Sequence, residues 1–296
     1  MENQSSTQRV RVIAPSGYLR ELDAFDQGVE IWRARGYEVE LGAGFDAGWG
    51  YLAGTDAHRY QQLITALTDP DCVGIVCARG GFGGARLLEY WSQHQGEGEI
   101  IDLNGAPKFL VGFSDITALL WSPHLPIRGI HGPVLTTLAQ EPDWSLQRLW
   151  DAIAGKSLPP LSGSGWGGGQ VRGLLWPGNL TVATHLLGTP HQPPLTDIIL
   201  AFEDVAEAPY RLDRMLTQWR MSGKLQQVRG IALGRFSQCD PGRVPSFSVA
   251  EVLKERLADL EIPIVADLPF GHDGVNAALP VGVMATLDGD QGFLQV

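Results

Sequence analysis

Residues 73–78, Val73-Gly74-Ile75-Val76-Cys77-Ala78, have no polar face, and they run directly into Arg79-Gly80-Gly81-Phe82-Gly83-Gly84-Ala85-Arg86. A strand that is apolar on both sides must be covered on both sides, which places it inside a parallel sheet with helices above and below. Neighbouring segments repeat the theme. Val10-Arg11-Val12-Ile13-Ala14 stops at the turn signal Pro15-Ser16-Gly17, and Leu22–Gly36 carries Leu22, Phe25, Val29 and Trp32 at the three- and four-residue spacing of one helix stripe. Val39–Leu41 reads as a second strand and Asp56–Leu67 as a second helix. Pro107–Phe113 is another buried strand, followed by Ser114-Asp115-Ile116-Thr117 and an apolar helix through Trp121. Strands alternating with helices predict an α/β class with an amino-terminal parallel-sheet domain.

The 296 residues exceed what one hydrophobic core usually serves. Half of residues 155–170, GKSLPPLSGSGWGGGQ, are Gly or Pro, and they show no apolar period. The expectation is an α/β domain over 1–154, a Gly/Pro/Ser-rich linker over 155–170, and a β-rich α/β domain over 171–296. In the last, Val171–Leu175, Ile198–Phe202, Gly230–Leu233, Ile264-Val265 and Val283–Leu287 read as strands, with helices near Arg211–Met221 and Val249–Leu260.

Charge and cysteine content narrow the function. With 22 basic against 33 acidic side chains the net charge is −11, and no basic run stands apart. Polyanion binding rests on Lys and Arg neutralising phosphates, so neither nucleic acid nor an anionic membrane surface is an expected partner. Cys72, Cys77 and Cys239 form no C-x-x-C pair, which argues against a disulfide scaffold or structural zinc. The polar run Met1–Arg9 lacks an apolar signal core, and no stretch approaches the ~20 apolar residues of a membrane span, so a cytoplasmic protein is expected.

Several segments could carry chemistry. The four glycines of 79–86 suit a nest of backbone N–H groups for an anion or oxyanion, but the spacing matches neither a Walker A loop nor G-x-G-x-x-G. Ser114, two residues after Gly112 at a strand-to-helix junction, is either a helix cap or a nucleophile on a tight turn. A serine nucleophile requires a base and a group to orient it. Of the seven histidines, His58 and His94 lie in polar helices, His124 and His191 neighbour prolines in loops, and His185 sits in an apolar segment that suggests the core. His131 and His272 stand in Gly/Pro-bounded turns, where side chains can face a cleft. Glu203-Asp204 ends the buried run Ile198–Phe202, the strand end where α/β sheets collect functional groups. A structural ion pair with Arg211 or Arg214 is the competing role. Without H-E-x-x-H or a tight His/carboxylate cluster, no metal or other cofactor is expected.

Taken in order, these segments resemble the serine LD-carboxypeptidases, or muramoyl-tetrapeptide carboxypeptidases, whose relatives include the microcin C self-immunity peptidases. The likeness is carried by Val12–Gly17, Leu52–Asp56, Ala78–Gly83, Gly112–Thr117, His131-Gly132-Pro133, Gly178-Asn179-Leu180, Glu203–Asp213, and Pro269–His272 through Asn276 to Leu279–Gly282. It implies a Ser114–His272–Glu203 triad: nucleophile, general base then acid, and orienting carboxylate. It also implies an active site in the interdomain cleft, with the backbone N–H groups of Asp115 and Gly81 as oxyanion hole. Such donors are typically worth ~3–4 kcal/mol each in the transition state. A terminal substrate carboxylate would need a cation, for which Arg79, Arg86 and Arg211 are candidates, while His131 and Asn179 are expected near the cleft or in structural roles. Pro177, where many members carry glycine, and Asp273, where glycine is common, depart from the pattern.

The resemblance implies hydrolysis of the amide between an L-centre, that of meso-diaminopimelate or L-lysine, and terminal D-alanine in murein tetrapeptides during cell-wall recycling. The partner is then a small peptide substrate, and a homodimer is expected because family members are often dimeric. Two rival readings are a self-immunity-type peptidase that cleaves an aminoacyl-nucleotide, stacking its base on Trp166, Trp176 or Trp49, and a non-catalytic protein that holds a small ligand.

Overall fold

In the computed structural model of the chain, residues 8–95, 107–242 and 245–296 are described; residues 1–7 of the polar amino terminus lie outside them. The chain divides into two compact units after Glu141.

The first unit is built on four expected parallel strands, β1 (Arg9–Ile13), β2 (Glu38–Leu41), β3 (Cys72–Cys77) and β4 (Lys108–Gly112), and a fifth absent from the sequence expectation, β5 (Ile127–His131), in spatial order β5-β4-β3-β1-β2. Between them run α1 (Leu22–Ala34), α2 (Asp56–Thr68), α3 (Gly84–Gln95) and α4 (Thr117–Trp121), and α5 (Leu135–Leu138) follows β5. Helix α1 buries Phe25, Val29 and Trp32 of the stripe read from spacing, while Leu22, at its first position, is exposed. Thr55 caps α2, its side chain accepting from the His58 N–H at 3.2 Å. The loops that leave the carboxyl ends of β1, β3 and β4 come together there: the Gly17 N–H donates to Gly80 O at 3.1 Å. This is the edge of an α/β sheet where ligand-handling groups gather.

The second unit opens with α6 (Asp143–Ile153), a helix absent from the sequence expectation, then β6 (Leu161–Ser162), β7 (Ser164–Gly165), β8 (Gln170–Asn179), α7 (Leu180–Leu186) and β9 (Ile198–Val205). There follow α8 (Pro209–Met221), β10 (Gly230–Ser237), α9 (Val249–Leu257), β11 (Ile264–Ala266), β12 (Leu279–Pro280), β13 (Met284–Asp288) and β14 (Phe293–Gln295). Its sheet is mixed, in order β6-β14-β13-β8-β9-β10-β11-β7, with β8 to β11 mutually parallel and both flanks antiparallel. Leu175, Ile199, Ala201, Ala232, Val265, Phe270 and Leu279 share its core.

Residues 155–170 behave differently from a linker. The division falls after Glu141 rather than at 154, and β6 and β7 form the two outer strands of the second unit's sheet. Three of the six glycines there are pressed against neighbouring backbone: a Cβ would lie 2.1 Å from Ala266 O on Gly163, 2.2 Å from Gly289 O on Gly165 and 2.6 Å from the Ile262 carbonyl on Gly168. Composition alone cannot tell a flexible glycine run from one pressed against neighbouring backbone.

Candidate active site

In the first unit, the turn after β4 holds Ser114 at φ +61°, in the left-handed region that non-glycine residues rarely occupy. Such a conformation costs on the order of 1–3 kcal/mol and persists only where its surroundings enforce it. Ser114 starts a 3-10 turn, Ser114–Ile116, and the preceding residue, extended Phe113, makes no side-chain cap. An ordinary N-cap has extended geometry, so the capping role does not fit Ser114, whereas a sharp strand-to-helix turn that exposes a hydroxyl does.

What enforces the turn is Asp115. Its side chain is buried, and its Oδ2 accepts the Ser16 hydroxyl at 2.5 Å and the Gly84 N–H at 2.7 Å. One carboxylate thereby joins the loop after β1, the first residue of α3 and the turn after β4. Burial pushes the Asp115 carboxyl above its ordinary range, against the opposing pull of those two donors. The glycine loop lies directly over the serine: a Cβ on Gly80 would come within 2.9 Å of Ser114 Cβ and 3.1 Å of its Oγ. Gly81, at φ +118°, follows in the same loop. Behind it the buried Arg59 donates to Gly83 O at 2.9 Å and to Pro15 O, and pairs with Asp56.

In the second unit, Glu203 is wholly buried in β9, and its Oε2 lies 2.5 Å from Nδ1 of His272. With Nδ1–H donating to the carboxylate, Nε2 keeps the lone pair a general base needs. The dyad depends on an irregularity. Along the β9–β10 ladder Phe202 faces Leu233 and Asp204 faces Phe236, so Gly234 and Arg235 together stand opposite Glu203 alone. This bulge bends the strand and leaves its extra residue out of the ladder with β9. The Arg235 N–H there donates to Phe270 O at 2.8 Å, which brings the loop of His272 alongside.

The neighbouring carboxylate has other work. Asp204 accepts the Asn179 amide at 3.0 Å, the Thr181 N–H at 2.9 Å, the Thr181 hydroxyl at 2.8 Å and the Val205 N–H at 2.8 Å. Burial pushes its carboxyl up to about 6. Asn179 itself caps α7, accepting from the Val182 N–H at 3.1 Å, so its amide is committed to structure. The competing ion pair does not form: Arg211 pairs with Glu207 at 3.4 Å, and Arg214 lies over the Tyr210 ring.

The other expected residues are distributed as follows. Arg86 is bound by two nitrogens to Asp56, with Nε to Oδ1 at 2.9 Å, and Arg79 donates to Tyr18 O at 2.6 Å and faces Glu21 at 3.3 Å. Each candidate for a substrate carboxylate therefore already has a partner within its own unit. His131 ends β5, fully buried and edge-on to Phe113. His185 is exposed, against the core role its apolar neighbours suggest, and His191 is buried. Trp49 is half exposed, Trp166 lies beneath Lys254 at 5.9 Å, and Trp176 is partly buried. Sequence does not single out Arg235. The glycine before it, inside an otherwise apolar strand, is the signal that marks a bulge.

Among the described residues no helix is long and apolar enough to cross a membrane. Residues 10–132 match the amino-terminal domain of the LD-carboxypeptidases and residues 172–287 match their carboxy-terminal domain. The murein tetrapeptide carboxypeptidase of Pseudomonas aeruginosa is 34% identical over 96% of this chain and 94% of its own. A Synechocystis sp. protein whose carboxypeptidase name is provisional is 56% identical over 97% and 93%. Among solved structures, the muramoyltetrapeptide carboxypeptidase of Oxalobacter formigenes matches with a TM-score of 0.81 at 28% identity, covering 97% of each chain. The fold is also that of the microcin C7 self-immunity protein MccF, matched at a TM-score of 0.80 and 21% identity over 99% of this chain and 96% of that one. With both domains matched in order and full-length relatives above 30% identity, the chain belongs to the LD-carboxypeptidase family.

Proposed function

We propose that this protein is a serine LD-carboxypeptidase that releases D-alanine from murein tetrapeptides, cutting the amide after the L-centre of meso-diaminopimelate or L-lysine. The observation that carries the reading is the buried Glu203 bonded to His272 at 2.5 Å, an arrangement that puts the lone pair of the ring on Nε2. The left-handed Ser114 supports it from the other unit.

Ser114 Oγ attacks the scissile carbonyl as His272 Nε2 takes its proton, and the Glu203 carboxylate stabilises the imidazolium. The N–H groups of Gly81 and Asp115 receive the oxyanion. Collapse breaks the C–N bond, and the imidazolium returns its proton to the departing amine of D-alanine. Water then attacks the ester with His272 as base, releasing the shortened peptide and restoring the serine. The reading requires the Ser114 hydroxyl to meet Nε2 of His272. The family resemblance supports a cytoplasmic role in wall-peptide recycling and assembly as a homodimer.

The test presents the purified protein with a murein tetrapeptide and, separately, with an aminoacyl sulfamoyl adenosine, and follows the products by mass spectrometry. D-Alanine and tripeptide from the first supports the proposal. Cleavage of the second alone would transfer the chemistry to an aminoacyl-nucleotide substrate.

A further inference from the structure

We propose that Arg235 is the positioning residue for His272, holding the histidine loop against the strand that carries Glu203. The proposal rests on the reading of His272 as the general base. Two residues near the histidine take positive φ, Gly271 at +133° and Gly274 at +65°, and the loop is closed on itself by the Gly271 N–H donating to Asn276 Oδ1 at 3.1 Å and the Ala277 N–H donating to Pro269 O at 2.9 Å. Arg235 fixes it from outside. Its main-chain N–H donates to Phe270 O at 2.8 Å, before the histidine. Its Nη1 donates to Asp273 O at 2.6 Å and Val275 O at 2.8 Å, after it. Phe270, Asp273 and Val275 are thus all gripped by one residue, and that residue occupies the bulge opposite Glu203.

The close fit explains the glycine. A Cβ on Gly271 would lie 3.1 Å from Arg235 O and 3.2 Å from Arg235 Cβ, so the backbone passes tightly over the arginine. Both carbonyls are held by one nitrogen, Nη1, whose two N–H groups lie in the rigid guanidinium plane and so point in fixed directions, whereas an ammonium rotates freely on its stem. Arg235 acts on the reaction through His272 and Glu203. Misplacing a reacting group by about 1 Å typically costs on the order of 100-fold in rate.

The experiment compares wild type with Arg235→Ala and Arg235→Lys. D-Alanine release from a murein tetrapeptide gives kcat and KM, circular dichroism reports folding, and NMR of histidine-labelled protein observes the downfield Nδ1–H proton of an imidazole bonded to carboxylate. For Arg235→Ala the expectation is a folded protein with kcat down on the order of 100-fold, KM little changed and the Nδ1–H signal lost to solvent exchange. Millimolar guanidinium should restore much of kcat, and Arg235→Lys should fall between the two. Wild-type kcat with an intact Nδ1–H signal in Arg235→Ala would overturn the proposal, as would a loss confined to KM. If the wild type released no D-alanine, the proposed substrate would fall, while the NMR signal, which needs no substrate, would still decide the role of Arg235.

Discussion

Glu203 and His272 are 69 positions apart in sequence, yet the Oε2 of one lies 2.5 Å from the Nδ1 of the other, and the carboxylate is wholly buried. A buried acid with one strong donor acts directionally, because it selects the imidazole tautomer. Glu203→Gln keeps the shape, removes the charge and permits the wrong tautomer. Turnover is expected to fall about 10³–10⁴-fold with KM little changed, measured by steady-state D-alanine release. A loss under tenfold would remove the orienting role.

The contact between Gly80 and the Ser114 side chain makes a second prediction. A methyl on Gly80 lands 2.9 Å from Ser114 Cβ, so either the loop or the serine must shift. Displacements of about 1 Å at reacting groups cost on the order of 100-fold. Gly80→Ala should therefore lose about that factor in kcat while its melting temperature stays near wild type. Unchanged kcat would show that the loop yields freely.

Asp204 gives a pH dependence with a definite sign. Its carboxyl is raised by burial to about 6 from 3.8, so the folded state favours the protonated form. Its contribution is complete below pH 3.8 and fades as pH rises through 6. Between about pH 4.5 and 7.5 the stability advantage of wild type over Asp204→Asn, from urea unfolding, should shrink by about 2 kcal/mol. An advantage that grows with pH would contradict this.

How much of this can be read from sequence differs from residue to residue. Val73–Ala78 announces a doubly covered strand because its composition reports burial on both faces, and β3 is that strand. The run 155–170 misleads because glycine content is the same whether the chain is loose or pressed against Ala266 and Gly289. His185 is exposed although its sequence neighbours are apolar, because helix phase, rather than neighbouring residue types, decides which way a side chain of α7 points. The left-handed φ of Ser114 and the bulge at Arg235 arise from contacts with distant segments, Ser16 and Gly84 through Asp115 in one case and Phe270 in the other. No local pattern encodes such contacts, although Glu203, at the end of a buried strand, stands where sheet topology collects functional groups.

The central claim is that the Ser114 hydroxyl forms the acyl-enzyme, and D-alanine release by Ser114→Ala tests it most directly. The expected result is a folded variant whose turnover of murein tetrapeptide is about 10⁶-fold below wild type, as for comparable serine knockouts. Turnover close to that of wild type would contradict the account.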